Sequence, residues 1–110
     1  MTKGSVSNIG IRVKKALEEG YIIVKIDRHE AKRTGAFTRW IIPNDTELIY
    51  INFGYGKTHW DEYYLTKPNS VWIRIRRSNR GNLSTLKLTG EQLRISDDEL
   101  NNIITILEKT

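Results

Sequence analysis

The apolar positions of the chain change period several times, and each change marks an element. Ile9, Val13, Ala16 and Leu17 recur on one face of a helix. Ser5 or Ser7 supplies the cap and Gly20 the stop, so a helix is predicted to about residue 19. From residue 21 to 28 the period becomes two. Ile22, Val24 and Ile26 face one way, Lys25 and Asp27 the other, as in a half-buried strand. Residues 28–35 are polar, end in glycine and read as a loop.

Residues 36–42 and 47–53 read as a second and a third strand. Pro43-Asn44-Asp45-Thr46 between them is turn chemistry, because proline presets φ and Asn and Asp tolerate left-handed backbone. These two strands are therefore expected to form a hairpin. Residues 59–65 mix aromatic and acidic side chains and fit a strand or irregular structure equally. Residues 71–77 alternate most strictly, Ser78-Asn79-Arg80-Gly81-Asn82 turns the chain, and 83–89 return beside them. Ser96-Asp97-Asp98-Glu99 has the spacing of a capping box, with acids where the helix dipole favours them. Leu100, Ile103, Ile104 and Leu107 continue it as one apolar helix face.

Helix, about five strands and helix predict an α+β fold. A mostly antiparallel sheet is flanked by an N-terminal and a C-terminal helix, both on one face, with the other face partly open to solvent. At 110 residues the chain makes a single domain. There is no cysteine, which excludes disulfides, thiolate nucleophiles, cysteine zinc sites and iron–sulfur clusters. No apolar run approaches the roughly 20 residues of a membrane helix, so no membrane partner is expected. The first residues lack the apolar core of a secretory signal, which predicts a cytoplasmic protein.

The net charge is +5, unevenly spread. Residues 1–44 hold nine Lys and Arg against four acids, and 67–94 hold seven against one. The stretches 45–66 and 95–110 are each acidic by three. Two basic blocks on a small domain suit a polyanionic partner. In the strictest strand, Val71, Ile73 and Ile75 are expected in the core. Trp72, Arg74 and Arg76 would then face outward, with Thr85 and Lys87 of the return strand beside them. A ring for base stacking in line with guanidinium groups for phosphate is what a sheet needs to bind a single strand. Arg77 and Arg80 extend that surface, and Arg28, Lys32, Arg33 and Arg39 make an auxiliary one.

Gly54-Tyr55-Gly56-Lys57-Thr58 ends like a phosphate-binding loop, but the required first glycine is Ile51, so the glycines read as a turn. With two histidines and only commonplace carboxylate pairs, no metal and no cofactor is expected.

The first functional expectation is a non-enzymatic module binding nucleic acid, single-stranded by preference, or a nucleoprotein. The alternative is a protein-binding regulator or inhibitor of a partner enzyme, docking through Tyr55, Trp60, Tyr63 and Tyr64. The third is a small metal-free endoribonuclease of toxin size, with His29 or His59 as acid or base. A five-stranded antiparallel sheet leaves two edges, through which two copies can form a homodimer.

Overall fold

The computed structural model describes residues 8–54 and 56–109. The elements are α1 (Asn8–Glu18), β1 (Ile22–Glu30), β2 (Phe37–Ile41), β3 (Glu47–Asn52), β4 (His59–Thr66), β5 (Val71–Arg77), β6 (Leu83–Thr89), α2 (Gly90–Leu93) and α3 (Asp97–Glu108). The six strands form one antiparallel sheet in the order β3-β4-β1-β2-β5-β6. The α+β class holds, with one strand more than expected. No helix among the described residues is long and apolar enough to cross a membrane.

Local chemistry accounts for the helix ends. Tyr21 N–H donates to Ala16 and Gly20 N–H to Leu17, the paired bonds of a helix closed by glycine. Ser5 and Ser7 lie outside the described residues. Ser96 accepts from the Glu99 amide at 3.2 Å and caps α3. Glu99 does not return the bond, because its carboxylate takes Tyr63 Oη at 2.6 Å and Lys25 Nζ at 3.0 Å. The full capping box belongs to α2, where Thr89 and Gln92 bond reciprocally.

Two cores hold the sheet. On one face, Ile23, Tyr63, Leu65 and Ile49 meet Val13 of α1 and Ile103 and Leu107 of α3. On the other, Ile22, Val24, Ile26 and Tyr64 meet Trp72, with Trp40, Ile42 and Leu93 around them. The β1–β2 ladder has only two rungs, His29↔Thr38 and Glu30↔Phe37. Nearer the helices Arg94 takes β2's place, bridging to Val24, and Ile95 N–H donates to Ile23.

Several expectations are corrected. β1 runs on to Glu30, through the first three residues of the expected loop. Strands β2 and β3 do not form a hairpin; β2 lies between β1 and β5, and β3 pairs with β4. The turn at Pro43 carries the chain across the sheet instead, with Asp45 in the left-handed region at φ 64°. Residues 59–65 are strand. The faces of β5 are also exchanged. Trp72 is fully buried, edge-on to Tyr64 with ring centroids 5.4 Å apart, and its indole N–H donates to Ser70 at 2.9 Å. Val71 is 43% exposed, and Ile73 and Ile75 are half-buried. An indole buries roughly 150–250 Å², more than any aliphatic side chain, so it wins the one covered face. The register sets Ile73 opposite Lys87 and Ile75 opposite Thr85, so Lys87 and Thr85 lie on the face away from Trp72, Arg74 and Arg76.

Candidate nucleic-acid interface

Antiparallel pairing sends three connections to one end of the sheet. The β1–β2 turn (31–36), the β3–β4 turn (53–58) and the β5–β6 turn (78–82) all lie there, far from α1 and α3. Glu30 N–H donates to Thr58 at 3.0 Å and joins the first two turns. Arg77 joins the first to the third. Its Nη1 donates to the carbonyls of Thr34 at 3.4 Å and Gly35 at 3.1 Å. A Cβ on Gly35 or Gly81 would sit 2.6 Å or 3.1 Å from that guanidinium, so two glycines make the room it occupies.

The basic residues divide by what neutralises them. Arg39 forms a two-pronged pair with Glu30, at 2.8 and 3.0 Å, and lies 4.0 Å from the Phe37 ring centroid. That hydrogen-bonded pair holds the Glu30 carboxyl below its ordinary range. Arg28 pairs with Glu62 at 3.3 Å, and Arg76 with Asp27 at 3.4 Å. Arg28, Arg39, Arg76 and Arg77 are therefore already engaged, as parts of the framework. Lys32 and Arg33 on the first turn, Lys57 on the second and Arg80 on the third are exposed. None of these four makes an ion pair among the described residues.

Trp60 completes the site. It is half-buried at the start of β4, its indole N–H donates to Glu62 at 2.8 Å, and Phe53 lies 6.1 Å away with 62% of its surface exposed. Lys32, Arg33, Lys57 and Trp60 line one cleft of about 480 Å³. The expected surface is thus partly relocated. Trp72 is in the core, Lys87 is on the reverse face, and Arg74 is half-buried opposite Leu86.

Of the aromatic residues expected to dock a protein, Tyr55 lies outside the described residues. Tyr63 and Tyr64 are buried, hydrogen-bonded to Glu99 and Glu62, and so cannot meet a partner. Burial, with the bond to Glu62, pushes the Tyr64 phenol far above its ordinary range. Lys57 and Phe53 were absent from the expected binding surface. The signal that finds them is strand pairing, since a hairpin of residues 47–53 with 59–65 puts their connection beside residue 30. No protein-family model, curated protein or solved structure matches this chain.

Proposed function

We propose that the protein binds single-stranded nucleic acid through the end of the sheet where the three turns meet. The observation that carries this is the cleft that Lys32, Arg33 and Lys57 line with Trp60, Thr58 and Glu30, whose carboxylate Arg39 already pairs, with Arg80 on the neighbouring turn. Unpaired cations on short turns follow a phosphate backbone without first breaking an internal ion pair. A half-exposed indole offers a face on which a base stacks, worth about 1–3 kcal/mol per base. Duplex binding is less suited, because a stacking ring engages bases that are already unstacked from their complement.

The test is fluorescence anisotropy with labelled single-stranded RNA, single-stranded DNA and duplex DNA at low salt. Both single strands should bind more tightly than the duplex. The double variant Lys32→Glu, Arg33→Glu should bind at least about tenfold more weakly with an unchanged circular dichroism spectrum, since both side chains are exposed. Equal affinity in that variant, or no binding by the parent, overturns the reading. Tryptophan quenching on binding should be lost in Trp60→Phe, and Trp72 does not contribute to it because it is fully buried.

A further inference from the structure

The chain has two histidines, and the fold sets them face to face. His29 of β1 and His59 of β4 occupy opposite positions in one rung of the ladder. Their rings stack with centroids 3.9 Å apart and 13° between planes. Thr58 Oγ1 lies 3.3 Å from His59 Nδ1 and orients that ring. The same sheet face carries Asp27 and Asp61 two residues further in. Across the other ladders Thr38 pairs with His29 and Arg76 with Thr38. His29, Thr38, Arg76, Arg77 and Ser84 line a second cleft, of about 450 Å³, at the same end of the molecule as the turn cations.

We propose that the stacked pair, where these surfaces meet, cleaves single-stranded RNA with the two imidazoles as acid and base. The proposal rests on the reading that nucleic acid binds at this end. Cleavage by the RNA's own 2′-hydroxyl needs a base, an acid and a cation beside the phosphate. One imidazole, neutral, takes the 2′-hydroxyl proton as the 2′-oxygen bonds to phosphorus. Its neighbour, as the imidazolium, gives a proton to the 5′-oxygen as the phosphorus–oxygen bond to it breaks. The electron pair of that bond leaves with the 5′-oxygen. The products are a 2′,3′-cyclic phosphate and a 5′-hydroxyl, and solvent returns each ring to its starting state. Arg76 lines the cleft, 45% exposed and held only by its long 3.4 Å contact to Asp27, and of the engaged arginines it is the one open to the charge that builds on the phosphoryl oxygens. Stacking sets the two rings against each other at one rung, His29 on this cleft and His59 on a neighbouring one lined with Asp27, Trp60 and Asp61.

The experiment uses the full chain with EDTA present and labelled single-stranded RNA and DNA of one sequence. RNA should be cut, leaving a 2′,3′-cyclic phosphate identified by mass spectrometry. DNA should be bound and left whole, because it lacks the 2′-hydroxyl. His29→Gln and His59→Gln should each slow cleavage at least about 100-fold while changing RNA affinity less than twofold. RNA that is bound but never cut overturns the cleavage proposal and leaves the binding reading standing. RNA neither bound nor cut overturns both. Cutting at the parent rate by either histidine variant shows that the cleaving centre lies elsewhere and overturns the assignment.

Discussion

Trp72 shows how one side chain decides which face of a strand is inside. Its neighbours of opposite parity, Val71, Ile73 and Ile75, are the more uniformly apolar set, and still they are the ones left at the surface. With roughly 200 Å² of ring to bury at about 25 cal/mol per Å², one indole contributes about 5 kcal/mol. The price of burying its N–H is met by a hydrogen bond to Ser70. Trp72→Ala should therefore cost about 3–5 kcal/mol in urea unfolding. A loss under about 1 kcal/mol would show the ring to be dispensable. Glu99 makes a second prediction at this scale. Burial raises its carboxyl, but the hydrogen bonds from Tyr63 and Lys25 and the charge of Lys25 outweigh that and hold it below 4.5. A depressed carboxyl stabilises the fold above its unfolded value, and the contribution is lost as pH falls through the folded value. Glu99→Gln should be about 1 kcal/mol less stable than the parent at pH 7, and the difference should close below the ordinary carboxylate range. A gap that stays constant from pH 7 to pH 3 would mean the carboxylate's charge contributes nothing.

Among the elements, period alone identified the type of most strands and both long helices, because hydrophobic alternation is a local property. Pairing was not legible in the same way. The turn chemistry at Pro43 suggested a hairpin, yet Pro and Asn favour any reversal of the chain, including one that crosses to a distant strand. The deciding contacts are long-range: Tyr63 and Leu65 of β4 share a core with Ile23 of β1, and β5 is drawn to β2 where Trp72 meets Trp40 and Ile42. The short helix α2 is not legible in the sequence because four residues carry no period; a capping box and one glycine define it. Gly90 N–H donates to Ser70 at 2.8 Å, and a Cβ there would sit 2.6 Å from the Lys67 carbonyl and 2.6 Å from Ser70 Oγ. Gly90→Ala must therefore push α2 off the 67–70 turn and disturb the same Ser70 that holds the Trp72 indole. We expect a loss of about 1–3 kcal/mol with a red shift of tryptophan emission. Parent stability in that variant would mean the turn yields freely.

At the scale of the whole molecule, the binding surface was legible as charge and not as geometry. Two basic blocks separated in sequence converge because every hairpin of the sheet turns at the same end. Charge counting could not say which cations are spent inside the protein. Among the described residues at this end, Arg28, Arg39 and Arg76 answer Glu62, Glu30 and Asp27, Arg77 answers two backbone carbonyls, and Lys32, Arg33, Lys57 and Arg80 are left. This division has a measurable consequence. A protein that neutralises phosphates on a single strand loses affinity with salt at a log–log slope of about −0.7 per contact. Four contacts give a slope of roughly −2.8, and Lys32→Ser with Arg33→Ser should reduce it to about −1.4. Arg39→Met should leave the slope unchanged, because its charge is already met by Glu30. The three titrations together separate the two classes of cation. If Arg39→Met flattens the slope as much as the turn variants do, then Arg39 gives up Glu30 to meet phosphate. The binding surface would then extend from the turns along β2, on the face that Arg39 shares with Phe37 and Ile75.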